Sequence, residues 1–310
     1  MMVGRLWWGI GLFVGSLALG WWLNRRGRLT EAHASRMVQW IARWPSPMVL
    51  CLSFWMMDFT RLQPWLLPVV GTTIAGSTLL PAFLYARSAR LSNPATGSFL
   101  ACAFFSNLGY LGAFTAFALY GEPGYGWCVL YMVYFSPCFY TLGFGIGARY
   151  GVHGQGPSQG EVWSGEYRFY PFVGMVLGFL LSVLGVARPP ILGWVNHLLI
   201  PVDTALYLMA IGSQVRFESP RPHLRSCVAM SGIKFLYTPC IAWLIVHAIG
   251  LEGVPRFIVL LEASTPVAVS PMVLPLLFGL DRRLANALWL FTTVLSVPWL
   301  LLVLPLLQRL

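Results

Sequence analysis

Ten stretches of about twenty residues each keep their apolar character with few interruptions, and together they take up most of the chain. They run over Leu6–Leu23, Met37–Met57, Trp65–Tyr85, Ala95–Tyr120, Gly124–Ala148, Tyr170–Val186, Ile191–Val215, Ser226–Ile249, Phe257–Phe278 and Leu284–Leu307. An α-helix rises ~1.5 Å per residue, so ~20 residues match the ~30 Å hydrocarbon core of a bilayer. In lipid every backbone donor and acceptor must be satisfied internally, which leaves the helix or the closed barrel. Barrel strands are ~10-residue alternating segments; these runs are longer and uniformly apolar. The sequence therefore predicts an all-α membrane protein with about ten transmembrane helices.

The rest of the composition agrees. Only 10% of the 310 residues are charged, 57% are hydrophobic, and Lys234 is the single lysine. A water-soluble domain carries about a quarter charged residues. The net charge of +10 comes from isolated arginines or short pairs between the apolar runs. That is the layout of membrane loops facing anionic lipid, and it implies no nucleic acid as a partner. Leu6–Leu23 is followed by Asn24, Arg25, Arg26 and Arg28 and not by a small-residue cleavage site, so it reads as a first span. The pairs Trp7–Trp8, Trp21–Trp22 and Trp40 with Trp44 read as interface anchors.

Arginines set the expected orientation. With the N-terminus outside, thirteen fall on inner connections (25, 26, 28, 36, 87, 90, 149, 168, 216, 221, 225, 282 and 283). Five fall outside (5, 61, 188, 256 and 309), with Arg43 and Lys234 inside the membrane and expected to snorkel to its inner face. Both termini are expected outside a plasma or bacterial inner membrane.

The polar, Gly-rich stretch from Tyr150 to Arg168 divides the chain into a first five-helix half, residues 1–150, a cytoplasmic linker, 151–168, and a second half, 169–310. Five spans per half would invert the second half relative to the first, the layout of inverted-repeat carriers. Two 16-residue segments, SNLGYLGAFTAFALYG (Ser106–Gly121) and STPVAVSPMVLPLLFG (Ser264–Gly279), begin and end alike. The first weakens its helix with Asn107, Gly109 and Gly112; the second carries Pro266, Pro271 and Pro275, each of which removes a backbone donor. Breaks at matching positions point to a substrate site, where helix-end N–H groups suit anions and freed carbonyls suit cations.

SNLGYLG with the following YGEPGYG turn, IPVDTALYLMAIGSQV, and EASTPVAVSPMVLPLLFGLDRRLANALWLFTTVLS resemble the fourth, seventh, and ninth and tenth spans of the auxin efflux carrier family. The resemblance implies a 5+5 inverted repeat with two broken crossover helices, as in the bile-acid sodium symporters. It also implies homodimers and small organic anions as substrates. Asn107 stands for the family's crossover Asn, and Pro266 and Pro271 for its crossover prolines. Leu108 replaces a usual Thr, Phe114 a frequent Pro, and Ser270 a frequent second Asn. Ser106, Asn107, Gly109, Gly112, Ser264, Thr265, Pro266, Ser270 and Pro271 are the expected substrate-binding set.

Ionisable residues inside spans are expensive and point to function. Asp203 falls with Asn196, Tyr207, Ala210 and Gln214 on one helical face. Glu262 precedes Pro266 by four residues, and Lys234 offers a positive charge to an anion. These three are the expected coupling or polar-path residues.

Other chemistries find little support. The six cysteines lie in apolar stretches without a CxxC pair, the five histidines are scattered, and no Walker-type loop occurs. No metal, cofactor or enzyme activity is expected, since no nucleophile and base share a helical spacing. A channel would show a filter motif. The expectation is a secondary carrier of a small organic anion or related solute working by alternating access, with a sodium-coupled symporter-like carrier or a channel as alternatives.

Overall fold

The computed structural model describes residues 2–152, 169–215 and 220–307. Most of the expected linker, with Arg168 and Arg216, lies outside the described residues, as does Arg309. Among the described residues the chain is helical throughout, and the sole β pairing is one isolated bridge. Each of the ten apolar runs is built mainly from helix. Among the described residues, five helical stretches are long and apolar enough to cross a membrane: Gln63–Ser88, Leu108–Tyr150, Pro190–Ser213, Arg221–Ala248 and Arg282–Leu307.

Several runs expected to be single helices are divided, at prolines in the second and third and beside Asn107 and Gly109 in the fourth. The second run forms α2 (Glu31–Arg43) and α3 (Pro45–Trp55), parted at Trp44 because Pro45 cannot donate a helical hydrogen bond. The third forms α4 (Gln63–Ser77) and α5 (Leu79–Ser88). Pro81 cannot donate to the Ser77 carbonyl, which accepts from the Tyr237 hydroxyl instead at 3.2 Å. The fourth forms α6 (Asn93–Phe104), a π-helical turn (Leu108–Gly112) and α7 (Ala113–Tyr131).

The chain folds as two compact units, and each takes segments from both sequence halves. The first comprises Met1–Trp65, Gly109–Leu130 and Trp163–Val215. Its helices include α1 (Met2–Arg25), α10 (Tyr170–Val183) and α11 (Pro190–Ser213), numbered after two short helices of the second unit, α8 (Phe135–Cys138) and α9 (Phe144–Tyr150). Glycines let backbones touch here. A Cβ at Gly174 or Gly178 on α10 would collide with the Pro47 or Cys51 carbonyl of α3. Gly20 on α1 and Gly212 on α11 stand in the same way against the Met209 and Leu17 carbonyls. Small residues spaced by four are how apolar helices pack tightly in lipid.

The second unit comprises Leu66–Leu108, Tyr131–Val162 and Arg216–Leu310. It holds α12 (Leu224–Gly232), α13 (Thr238–Ala248), α14 (Gly253–Ala263), α15 (Val273–Phe278) and α16 (Arg282–Leu307). Two of its helices are buried almost all round: α6 from Ala95 to Phe104, and α14 at Pro255 and from Phe257 to Ala263. A helix without a polar face belongs at the centre of a bundle. The outer helices carry their large apolar side chains outward, Leu80, Val228, Leu236 and Val294 among them.

Candidate functional site: two interrupted helices

The two central helices of the second unit both stop short. α6 begins at the Ser92 cap and ends at Phe105, whose φ −89° and ψ 115° are extended. α14 ends at Ala263, and Pro266 biases the residue before it away from helix. The unwound pieces lie antiparallel, with Ser106 paired to Val267. The Asn107 amide donates to the Pro266 carbonyl at 2.8 Å, and the Ala268 amide to the Phe105 carbonyl at 3.0 Å. Backbone groups released by each break thus satisfy those of the other, as a buried site demands.

The pairing takes the usual helical donor away from the Ala103 carbonyl. In an unbroken helix the Ala103 carbonyl would accept from the Asn107 amide, which here belongs to Pro266. Ala103 instead accepts from the Lys234 Nζ at 2.6 Å and from the Thr78 hydroxyl at 3.0 Å. The same Nζ donates to the Ser106 Oγ at 2.7 Å. Snorkelling was the expectation for Lys234, but the residue is wholly buried. It projects from a π-helical turn, Ile233–Tyr237, and the break in α6 supplies it with an acceptor deep inside the unit.

The expected substrate-binding residues divide by what their polar groups do. Asn107 is buried, and among the described residues its carboxamide makes no hydrogen bond. Ser264 and Thr265 turn their hydroxyls back to the Leu260 and Glu262 carbonyls, at 2.8 and 2.7 Å. The N–H groups expected to attract an anion between Ser264 and Val267 are taken: Ser264 bonds Leu261, Thr265 bonds Glu262, Pro266 has none, and Val267 bonds the Thr292 hydroxyl at 3.2 Å. Short local turns and α16 reach them first. Ser270 is half-buried and Pro271 buried where the chain re-enters helix, in a 3-10 turn, Ser270–Met272. Gly109 and Gly112 lie in the π-helical turn after Asn107 and are counted with the first unit. Glu262 is wholly buried on α14, not solvated.

The sequence pattern of a membrane transport protein family matches residues 13–151 and 157–304. This is the auxin efflux carrier family. The chain belongs to it. It is also similar to an uncharacterized transporter of Methanothermobacter thermautotrophicus, 24% identical over 283 residues that cover 90% of this chain and 91% of the relative. An uncharacterized transporter of Methanocaldococcus jannaschii is 25% identical over 289 residues, with the same coverage of both chains.

Two polar clusters of this transporter lie in its first unit. The Asp203 carboxylate on α11 is buried and accepts from the Ser46 hydroxyl at 2.7 Å, so the polar stripe meets protein and not lipid there. The other cluster escaped sequence reasoning. The Arg188 guanidinium pairs with the Glu122 carboxylate in a two-pronged contact, one prong at 2.8 Å, and also donates to the Leu52 carbonyl at 2.8 Å. Asn196 donates to the same carboxylate and to the Ser53 hydroxyl. In the sequence Arg188 and Glu122 fall in Gly- and Pro-rich stretches between apolar runs and read as loop charges, whereas in the structure Glu122 lies within α7, just after its kink at Gly121. The usable signal was Asn196, an amide inside an apolar run one helical face from Asp203.

Proposed function

We propose that this member of the auxin efflux carrier family is a secondary carrier, with the interrupted helices of the second unit as its substrate site. The observation that carries the reading is the antiparallel pairing of Phe105–Asn107 with Pro266–Ala268. Interrupted helices at membrane depth are tolerated where they serve a polar path or site, and discontinuous helices are the usual seat of substrate in secondary transporters. The second support is Asn107, a buried carboxamide with two donors and an acceptor left for a ligand.

A small organic anion is the substrate class favoured by this chemistry. Asn107 can donate to a carboxylate without carrying charge of its own, and the Lys234 amine, bonded to Ser106, lies at the same crossing. The two 16-residue segments support the inverted repeat: each starts where a buried helix stops and ends on a left-handed glycine, Gly121 at φ 67° and Gly279 at φ 65°. Ten spans, both termini outside and a homodimer complete the proposal.

The test is a thermal-shift screen of the purified protein against acetate, benzoate, malonate, succinate, bicarbonate and a bile-acid-like sterol carboxylate. A carrier of organic anions gains thermal stability with at least one carboxylate in a saturable way, and Asn107→Ala loses that gain. Stabilisation by none of them, with the protein well folded, contradicts the anion assignment.

A further inference from the structure

We propose that the Lys234 side-chain nitrogen permanently fills the position where a coupling cation would otherwise bind at the interrupted helix, so that the carrier works without sodium. The inference rests on the reading of this crossing as a transport site.

The argument begins with the orphaned carbonyl. α6 ends with its carbonyls directed at the crossing, and the C-terminus of a helix carries partial negative charge. In discontinuous-helix transporters such half-helix ends, with unwound carbonyls, are what coordinate the coupling ion. Ala103 provides such an oxygen, released because the Asn107 amide bonds Pro266. The Ser106 hydroxyl is a second. A cation held by these two oxygens would have to occupy the space that the Lys234 Nζ occupies, at 2.6 and 2.7 Å from them. Volume alone forbids sharing.

The chain is arranged to keep the amine there. Lys234 is the only lysine in 310 residues and is wholly buried. It sits in a π-helical turn, a local widening that recurs at functional positions. The Thr238 hydroxyl caps the Ile233 carbonyl at the start of that turn, at 2.7 Å. A second hydroxyl, Thr78, donates to the Ala75 and Ala103 carbonyls and so braces the oxygen that receives the amine. An amine buried without acceptors would be costly; this one has an acceptor at the end of α6 and another within the unwound stretch.

The experiment compares thermal unfolding of the detergent-purified protein in sodium chloride and in choline chloride at matched ionic strength. The wild-type protein is expected to unfold at the same temperature in both salts across the titration. In Lys234→Ser, the vacated space is lined by the Ala103 carbonyl, the Ser106 hydroxyl and the new hydroxyl. This variant is expected to be less stable in choline and to gain a saturable, sodium-specific rise in unfolding temperature. Sodium-specific stabilisation of the wild-type protein, or a folded Lys234→Ser protein indifferent to sodium, overturns the proposal. If Lys234→Ser does not fold, the wild-type comparison decides alone. The unfolding comparison is separate from any transport assay: sodium stabilisation of the wild-type protein refutes the amine as the occupant of the cation position and spares the carrier reading, whereas failure of solute exchange in every salt contradicts the carrier reading itself.

Discussion

The Asn107 amide donates to the Pro266 carbonyl at 2.8 Å, which joins the two interrupted helices through their main chains and leaves the Asn107 carboxamide out of the joint. The fold and the proposed chemistry of this residue are therefore separable. Asn107→Ala keeps the backbone pair and should unfold within a few degrees of the wild-type protein. Ligand affinity should fall about tenfold or more, corresponding to a lost charge-assisted hydrogen bond worth ~1.5–3 kcal/mol. Ser270→Ala should cost less, because one hydroxyl is removed from a half-buried position. Titration of the best ligand from the carboxylate screen by calorimetry checks both variants.

The Glu122–Arg188 pair predicts a strong asymmetry between single and double substitutions. Arg188→Met leaves the buried Glu122 carboxylate with Asn196 as its remaining named donor. Breaking a fully buried pair by removing one partner costs ~3–5 kcal/mol; Arg188 is half-buried, so the loss here should be smaller than that. The double variant Arg188→Met with Glu122→Gln should recover most of that loss, since Gln can still accept from Asn196. Thermal unfolding of the three variants measures the coupling; equal destabilisation by the single and double changes would show that the pair carries little.

Gly178 makes a different kind of prediction. Its missing side chain lets α10 meet the Cys51 carbonyl of α3 directly. Gly178→Leu must push the helices apart and should destabilise the protein by ~1–3 kcal/mol, the usual cost of overpacking. Gly145, where a Cβ would meet nothing, is the internal control: Gly145→Ala should change the unfolding temperature little.

The arginine bias predicts that the connection after α5 faces the cytoplasm. Ala89 is exposed there, beside Arg87 and Arg90. With the exposed Cys240 replaced by Ser, Ala89→Cys on intact cells should resist a membrane-impermeant thiol reagent and react once the membrane is opened. Labelling from outside would reverse the topology.

Much of this fold is legible in the sequence because lipid leaves few options. A twenty-residue apolar run has to be helix, and Asn107 with two glycines, or Pro266 with Pro271, marks where a helix fails. What sequence spacing does not carry is which broken end meets which. The Phe105–Ala268 and Asn107–Pro266 bonds join residues over 150 positions apart, and nothing local at either place encodes the partner. Lys234 shows the consequence. Its distance from the nearest arginine-rich connection suits a snorkelling side chain, and only the freed Ala103 carbonyl explains why it turns inward. Arg188 and Glu122 were hidden for a related reason, since both fall between apolar runs of the sequence, where a charge ordinarily meets water.

The most direct test of the carrier account is counterflow in proteoliposomes. Vesicles preloaded with an excess of the unlabelled carboxylate that stabilises the protein are diluted into a trace of the same compound in labelled form. The account predicts a transient accumulation of label above equilibrium, saturable in the external compound, equal in sodium and choline, and lost in Asn107→Ala reconstituted at the same density. Uptake that only approaches equilibrium, rises linearly with concentration and persists unchanged in Asn107→Ala would contradict it.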